Sequence, residues 1–423
     1  MAQAREGWQG AGSGGNDQRM LRRANLALVM RGLRETGPRS RARLASDLGL
    51  NKATVSSLVG ELMERGLVRE GKAERGAVGR PGTILELDGT GAYGIGAEIN
   101  VHHVTALAID LAGEVVSERR TSVDTRGVQP EEVVDHLVEL LRGTLADLAE
   151  RGSQPVAIVT GVAGLVDRDD GAVSVAPNLG WRDVPVAALL RDRLDRPDYL
   201  IEVANEANLA AVAEATPGDP ERRDILVVHG EAGIGGGIIA DGRPFHGRRG
   251  FAGEFGHMVV DPGGSRCGCG RTGCWETVIG LTRLLEQAAD PSDFLRGADL
   301  LLEERVAEVN RRAEAGDTRT LAALHELGRW VGVGAAALTN ALNPGVIVLS
   351  GYLGEIGTWI VADVEAELAS GVLAPESGGT RIALSTIGLY AAVRGGAAVA
   401  IDHVYEDPTL VPRVAVSDLG ATS

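Results

Sequence analysis

Three cysteines constrain this chain more than any other feature, because all of them lie in one short segment. They are Cys267, Cys269 and Cys274, and His257 precedes the first of them by ten positions. Thiolate and imidazole groups are the ligands that Zn²⁺ prefers, and glycines between the cysteines allow a tight loop to direct several sulfur atoms at one ion. The segment therefore predicts a structural Zn²⁺ site formed by His257, Cys267, Cys269 and Cys274, although its spacing is not that of a double Cys-x-x-Cys finger.

The sequence leaves an alternative open, in which the three thiols stay unligated in a flexible loop. A disulfide is less favoured, because the cysteine count is odd and the chain shows no apolar signal segment near its start. Two carboxylates, Glu254 and Glu276, flank the segment. Carboxylates beside a metal often hold a ligating His or face a polar ligand, although most Glu side chains are simply solvated.

The order Glu254-Phe255-Gly256-His257, followed by the three cysteines and Glu276, resembles the signature of the ROK family, named for repressor, open reading frame and kinase. The resemblance implies that His257 and the cysteines bind a structural zinc. It also implies that Glu254, His257 and Glu276 contact a bound monosaccharide.

Length and composition indicate an ordinary globular protein of about two to three domains, with 423 residues, 44% hydrophobic and 24% charged. The longest uncharged run, residues 330–354, is long enough to suggest a membrane span. It is interrupted by Asn340 and by Asn343-Pro344-Gly345, so a buried helix and a buried strand are favoured. We expect a cytoplasmic protein that does not enter a membrane.

Charge divides the chain into a basic head and an acidic body. Residues 1–87 have a net charge of +6, whereas the remainder has −22. A basic head on an acidic body favours contact between the head and a polyanion. Composition and patterning predict a disordered leader at 1–16, a DNA-binding domain at 17–87 and a separate body at 88–423, which the ROK resemblance implies to be sugar-binding.

The head has the spacing of a helix-turn-helix. A helix is predicted for Gln18–Glu35, a second for Arg41–Leu48 after the cap residue Ser40, and a third from the cap residue Asn51 to about Arg65. Gly49 supplies the tight turn between the second and third helices. The N-terminal end of the third helix should enter the major groove. The predicted DNA-binding residues of this part are Arg41, Lys52, Ala53, Thr54, Ser56 and Ser57.

A wing should follow the third helix. Residues 67–69 and 83–87 are predicted as two strands joined by a glycine-rich loop at 71–82, in which Arg75 and Arg80 would reach DNA phosphates or a minor groove. The alternative is a small helical domain with a solvated basic loop.

The body alternates strands and helices in the order of half of the actin-like sugar-kinase fold, which the ROK resemblance implies. The predicted fold class is thus an α/β actin-like (sugar-kinase/ribonuclease-H-like) body of two lobes with an N-terminal winged helix-turn-helix domain. The lobes are expected at about 88–205 with the C-terminal helix, and at about 206–390.

Further positions match the sugar-binding residues of the family. They are Asn178, in Asn-Leu-Gly-Trp, and Asn205 with Glu206, which open a predicted helix after a strand. Polar groups at strand carboxyl ends are where α/β folds bind ligands. Taken alone, either Asn is more often a turn or cap residue.

Two departures from the family's kinases favour a regulator. The kinases have Asp-x-Gly-Gly-Thr where this chain has Glu98-Ile99-Asn100-Val101-His102, and their catalytic Asp corresponds to Glu206. Side chains in place of the two glycines oppose close contact with nucleotide phosphates. The Gly233–Gly237 run partly keeps a second phosphate loop, and Ser350 and Tyr352 stand where glycines usually cluster. No catalytic residue is therefore predicted.

The sequence as a whole predicts a sugar-responsive transcriptional repressor, and Glu206 resembles the xylose-responsive branch of the family more than the glucokinases. It should be a homodimer or homotetramer that binds an inverted-repeat operator and a monosaccharide effector. Two alternatives are an ATP-dependent sugar kinase with an added DNA-binding head, and a DNA-binding protein whose body only dimerises.

Overall fold

The computed structural model describes residues 13–71, 83–215, 222–297, 300–374 and 379–413, with side chains from residue 18 onward. The chain forms two compact units. Of the described residues, those up to 93, at 110–114 and at 401–413 form the head unit, and those at 94–109 and 115–400 form the body unit. None of the helices within the described ranges is both long and apolar enough to cross a membrane.

The head unit has the predicted helix-turn-helix, and its local signals explain its boundaries. Ser40 accepts a hydrogen bond from the Arg43 amide, and Asn51 accepts one from the Thr54 amide at 2.8 Å, so both predicted caps begin their helices. The first helix starts earlier than predicted, at Ser13. The elements are α1 (Ser13–Thr36), β1 (Arg39–Ser40), α2 (Arg41–Asp47), α3 (Lys52–Glu64), β2 (Val68–Glu70) and β3 (Ile84–Leu87).

An apolar core joins these helices to a small antiparallel sheet of order β1-β3-β2. Leu26 and Met30 of α1 are fully buried, as are Val55 and Leu62 of α3. Strands β2 and β3 pair as predicted for a wing. The tip of that hairpin, residues 72–82 with Arg75 and Arg80, lies outside the described residues, as do residues 1–12 of the predicted leader.

The body unit contains two five-stranded sheets with the same strand order. The first, β6-β5-β4-β7-β11, is formed by β4 (Tyr93–Ile99), β5 (His103–Asp110), β6 (Val115–Ser122), β7 (Pro155–Val162) and β11 (Leu200–Asn205). The second, β14-β13-β12-β15-β16, is formed by β12 (Ile225–Gly230), β13 (Ile234–Ala240), β14 (Arg243–Pro244), β15 (Val346–Gly351) and β16 (Arg381–Leu384). This repeated order is the duplication that the predicted actin-like fold requires.

A small antiparallel sheet and several helices complete the body. The sheet consists of β8 (Leu165–Val166), β9 (Val173–Ala176) and β10 (Trp181–Val184). The remaining helices are α4 (Pro130–Glu150), α5 (Val186–Arg193), α6 (Glu206–Glu214), α7 (Glu276–Ile279), α8 (Leu281–Ala288), α9 (Leu302–Glu314), α10 (Thr318–Leu342), α11 (Tyr352–Glu355), α12 (Gly357–Gly371) and α13 (Ala391–Glu406). The uncharged run at 330–354 is a buried helix followed by a buried strand, as predicted.

Candidate metal centre, sugar pocket and DNA-binding face

The four predicted metal ligands converge. One ligand atom from each of His257, Cys267, Cys269 and Cys274 lies within 4.8 Å of the others. The sulfur atoms of Cys269 and Cys274 are 3.6 Å apart, and Cys267 Sγ is 3.8 Å from His257 Nδ1. Ligands about 2.0–2.3 Å from a tetrahedral Zn²⁺ would be separated by roughly 3.3–3.8 Å. The donor set and its spacing therefore fit zinc.

Backbone hydrogen bonds fold the cysteine segment into a compact loop. The Cys267 amide donates to Arg271 O at 2.7 Å, and residues 259 and 274 form a β-bridge. Trp275, next in the chain, is fully buried and donates its Nε1–H to Trp330 O at 2.7 Å. A metal bound by Cys274 would thus be connected through the chain to the buried Trp275 and to Glu276, the first residue of α7.

The predicted sugar-binding carboxylates lie beside this centre. Glu276 accepts a hydrogen bond from the Ile234 amide at 3.0 Å, and its other oxygen is 3.6 Å from Cys267 Sγ. The second ring nitrogen of His257, Nε2, lies 3.9 Å from a Glu254 oxygen. Burial raises the pKa of Glu254. His257 therefore presents one nitrogen to the cysteines and the other to the carboxylate side.

Asn178 approaches the same place. A Cβ added at Gly233 would lie 2.5 Å from Glu276 Oε2 and 2.9 Å from Asn178 Nδ2, so both polar atoms lie close to this glycine. Gly233 precedes β13. The structure therefore gathers an amide and carboxylates, groups suited to hydrogen-bonding a polyol.

Asn205 and Glu206 have different environments although they are adjacent. Asn205 caps α6: its Oδ1 accepts from the Ala207 and Asn208 amides at 2.9 and 3.0 Å, and its Nδ2 donates to Gly164 O. The Asn205 Oδ1 atom is thus already used in capping α6. Glu206 is buried, and among the residues that the structure describes none hydrogen-bonds its Oε2. Burial raises the pKa of Glu206 to about 8.

The Gly233–Gly237 run lies largely within β13 and is required by packing. A Cβ at Gly235 would lie 2.6 Å from Ala207 Cβ, one at Gly237 would lie 2.4 Å from Ala211 Cβ, and one at Gly236 would lie 2.1 Å from the Phe255 ring. These glycines let α6 and the turn that holds His257 approach the strand. Close packing therefore explains the glycines at positions 235–237 without a role in phosphate binding.

Side chains close the β4–β5 turn, where the family's kinases have two glycines. Asn100 is buried, its Oδ1 accepts from the Val101 amide at 2.7 Å, and its Nδ2 donates to Glu98 Oε1 at 3.1 Å. The Asn100 amide donates to His103 O at 2.9 Å. The backbone amides of Asn100 and Val101 thus already donate hydrogen bonds within the protein.

The N-terminal end of α3 presents most of the predicted DNA-binding residues to solvent. Lys52, Ala53, Ser56 and Ser57 are exposed, and Thr54 is half-buried. Their small size allows close approach to base edges. Arg41 is different, because its guanidinium pairs with Glu70 at 2.8 Å and is thus partly used within the head.

Sequence reasoning missed Glu61, a buried carboxylate on α3. Three guanidinium groups surround it: Arg22 at 2.7 Å, Arg65 at 3.0 Å and Arg413 at 3.1 Å. Burial alone would raise the pKa of Glu61, but the hydrogen bonds from Arg65, Arg22 and Arg413 outweigh it and lower the pKa. The Arg65 guanidinium also donates to Val411 O. The C-terminal segment therefore helps to fix the helix that would read DNA.

We expect Glu61→Gln to destabilise the head by about 1–3 kcal/mol at neutral pH, because it removes the charge that three arginines share. The lowered pKa makes this contribution present above about pH 4.5 and lost as pH falls further. Urea unfolding at pH 7 and at more acidic pH measures both effects. Glu64→Gln, on the same helix but paired only with Arg413 among its described neighbours, is the control and should change little. An equal loss in both variants would contradict this role for Glu61.

A second missed group is a buried cluster in the body. Glu98, His103 and Glu231 place one ligand atom each within 4.8 Å of the others. The only sequence signal is the presence of ionisable residues in, or directly after, otherwise apolar strands.

Comparisons with known proteins agree with this architecture. Residues 94–403 match the ROK family, and residues 24–71 match the IclR helix-turn-helix domain. A Bacillus subtilis xylose repressor is 28% identical over 93% of this chain and 99% of its own length. A Halalkalibacterium halodurans glucokinase is 30% identical over 71% of this chain and 93% of its own length. A crystal structure of a ROK family transcriptional regulator, a homologue of the Escherichia coli MLC protein, superposes with a TM-score of 0.74 at 22% identity, covering 91% of this chain and 97% of that one.

The chain belongs to the ROK family and has a helix-turn-helix domain at its N-terminal end. These matches confirm the predicted family and the predicted fold class, an α/β actin-like body with an N-terminal helix-turn-helix domain. The relatives include both repressors and kinases.

Proposed function

We propose that this protein is a monosaccharide-responsive transcriptional repressor. One observation supports the proposal above all: the chain combines an exposed helix-turn-helix surface with a ROK body in which Asn178 and Glu276 both lie close to Gly233 and Asn100 closes the β4–β5 turn. The Bacillus subtilis relative, a xylose repressor, matches along both parts of the chain. We therefore propose xylose as the first effector to test. We also propose that the protein is cytoplasmic.

In this proposal the sugar is held by Asn178, Glu254, His257 and Glu276, together with Glu206. Amide and carboxylate groups can each bind a particular hydroxyl, so a sugar that lacks one leaves a buried group unpaired. With its pKa raised to about 8, Glu206 is protonated at neutral pH and can donate a hydrogen bond. Asn205 contributes by capping α6 and positioning Glu206, rather than through a free amide oxygen.

We assign the metal centre a structural role. Zn²⁺ would be held by His257, Cys267, Cys269 and Cys274, and when bound it supplies no chemistry beyond cross-linking the loop. His257 would ligate through Nδ1, which faces the cysteines, and offer Nε2 to the sugar side. Metal and sugar binding are then coupled through one imidazole.

We propose further that the protein does not phosphorylate its sugar. Phosphoryl transfer requires a base, a magnesium-bound nucleotide and backbone donors together. Asn100 already accepts from the Val101 amide, so that backbone donor is not free for a nucleotide phosphate. Because such groups act as a unit, Glu206→Asp alone should give no kinase activity.

The head would bind DNA through Lys52, Ala53, Thr54, Ser56 and Ser57. Arg75 and Arg80 of the wing, and Arg41 where its pair with Glu70 opens, would contact phosphates. Two heads in a homodimer, or in each half of a homotetramer, would bind an inverted repeat whose half-sites are about one or two helical turns apart.

The test of this proposal combines a thermal-shift screen with an ATP assay. D-xylose, aldohexoses and amino sugars are added in turn, since a ligand that binds only the folded state raises the melting temperature. We expect one sugar class to stabilise the protein and no ATP-dependent product to form. Turnover of that sugar at roughly 1–100 per second would establish the kinase instead. No stabilisation by any sugar would favour a body that only dimerises.

The raised pKa of Glu206 gives a separate prediction about stability. Because this carboxyl has a pKa of about 8 in the folded state against an ordinary 4.5, the wild-type protein loses stability as pH rises from 4.5 through 8. Glu206→Gln stays neutral, so its stability relative to wild type should increase over that range. Urea unfolding at pH 5 and pH 8 measures the difference, with exposed Glu118→Gln as the control. A difference that is independent of pH would contradict the prediction.

A further inference from the structure

We propose that the body contains a second metal site, for a divalent transition-metal ion, formed by Glu98, His103 and Glu231 with His229 beside them. The site uses neither the cysteine ligands nor the proposed sugar-binding residues, although His229 and Glu231 lie close enough to Glu206 to act on its charge. The inference does not depend on DNA binding or on the identity of the sugar.

The four side chains are almost wholly buried. Exposed fractions are 1% for Glu98, 5% for His103, 1% for His229 and 6% for Glu231. Ionisable groups at such depth are normally paired by short hydrogen bonds or bound to a metal. A buried cluster of this kind therefore requires an explanation in terms of its partners.

Short hydrogen bonds do not supply that explanation. His103 Nε2 lies 3.8 Å from Glu98 Oε2 and 3.9 Å from Glu231 Oε1, and His229 Nε2 lies 3.4 Å from Glu231 Oε2. Hydrogen bonds between nitrogen and oxygen are about 2.7–3.2 Å long. Within the described parts of the chain, Glu231 Oε2 and His229 Nε2 have no hydrogen-bond partner. His229 Nε2 and Glu231 Oε2 thus lie side by side, 3.4 Å apart, without a hydrogen bond between them.

One of these distances, 3.4 Å, matches that between ligands that share a cation, and the other two, 3.8 and 3.9 Å, are somewhat longer. Ligand atoms about 2.1 Å from a metal are separated by roughly 3.0 Å in octahedral and 3.4 Å in tetrahedral geometry. Shifts of a few tenths of an ångström in these side chains would bring them to such separations. A cavity of about 10 Å³ adjoins the cluster, and its walls include Asn100, His103, Arg120 and Glu231. That volume is enough for about one water-sized species.

Neighbouring side chains hold two of the ligands in place. Asn100 Nδ2 donates to Glu98 Oε1 at 3.1 Å, and His229 Nδ1 lies 3.3 Å from Ser350 Oγ. If His229 Nδ1 carries the proton and donates a hydrogen bond to Ser350 Oγ, His229 Nε2 keeps its lone pair for a metal. Asn100 therefore supports the cluster as well as closing the β4–β5 turn.

The donor set selects the class of ion. Two carboxylates with one or two imidazoles favour ions such as Mn²⁺, Fe²⁺ or Zn²⁺, whereas Mg²⁺ and Ca²⁺ prefer oxygen ligands alone. Arg120 opposes binding, because its guanidinium lies 3.3 Å from His103 Nδ1. When Nε2 binds a metal, Nδ1 bears the proton, and Arg120 then keeps its ion pair with Glu303. Removing the Arg120 charge should consequently strengthen binding.

The test is a titration of full-length protein that already holds one Zn²⁺ per chain, with Mn²⁺ as the probe because thiolates bind it poorly. Electron paramagnetic resonance of free Mn²⁺ gives stoichiometry and affinity. We expect one Mn²⁺ per chain, displaced by a second equivalent of Zn²⁺. Glu231→Gln and His103→Gln should each weaken binding at least tenfold, Arg120→Ala should strengthen it about tenfold, and exposed Glu118→Gln should leave it unchanged.

Failure to bind both Mn²⁺ and a second Zn²⁺ in the wild-type protein would overturn the proposal. Binding that Glu231→Gln and His103→Gln leave unchanged would place the ion elsewhere and overturn it as well. Should both variants fail to fold, the wild-type stoichiometry and the response of Arg120→Ala still decide the question.

Discussion

Cys269→Ser is expected to abolish zinc binding and sugar response together. A structural zinc contributes on the order of 10 kcal/mol to the fold of its site, and a Ser hydroxyl cannot replace a thiolate ligand. The loop leads directly into buried Trp275 and then Glu276, so its loosening would displace both His257 and Glu276. Metal analysis and sugar-dependent melting measure the two losses.

Ser265→Ala is the matched control, because Ser265 is an exposed residue of the same loop. It should keep one zinc per chain and the full sugar response. If freshly purified wild-type protein, prepared without chelators, contains no zinc, the metal assignment is wrong. If Cys269→Ser loses zinc but keeps its sugar affinity, the metal and the sugar pocket are not coupled.

Gly237→Ala is expected to lower stability strongly and to impair sugar binding. The added Cβ would lie 2.4 Å from Ala211 Cβ and 2.6 Å from Ala207 O, and neither neighbour is the end of a flexible side chain. Overpacking of this kind costs about 1–3 kcal/mol or more, since α6 must move away from β13. Movement of α6 would carry Glu206 with it. Thermal unfolding and sugar titration give the two readouts.

Gly60→Ala makes the same substitution in α3, where an added Cβ meets nothing within 4 Å. It should be neutral or stabilising by up to about 1 kcal/mol, because Ala favours a helix. Equal stability of Gly237→Ala and the wild-type protein would contradict the packing role of the glycine run.

Local signals made the helix-turn-helix and the metal loop predictable. Ser40 and Asn51 begin α2 and α3 through hydrogen bonds to amides three residues away, so the sequence contains the whole interaction. The cysteines and His257 likewise lie within one short segment. Such features need no knowledge of the distant chain.

Long-range contacts could not be predicted in this way. Glu61 is surrounded by arginines from α1, from the end of α3 and from the C-terminal segment, and Arg413 is remote from it in sequence. The cluster of Glu98, His103 and Glu231 likewise depends on strands from both sheets of the body. Only the fold brings these groups together.

The structure also separates roles that the sequence grouped. Asn205 and Glu206 were predicted together as sugar-binding residues, but the Asn205 oxygen caps a helix whereas Glu206 Oε2 has no partner among the described residues. The direction of each side chain depends on tertiary structure and not on spacing.

The affinity of the protein for its operator, measured with and without sugar, tests the account most directly. DNA selected by the protein from a random pool is labelled, and fluorescence anisotropy gives its affinity at fixed salt. We predict an inverted repeat that binds about 5- to 150-fold more weakly when the stabilising sugar is present, the usual range of allosteric coupling. An operator affinity that is unchanged at saturating sugar, in protein that demonstrably binds that sugar, would contradict the account.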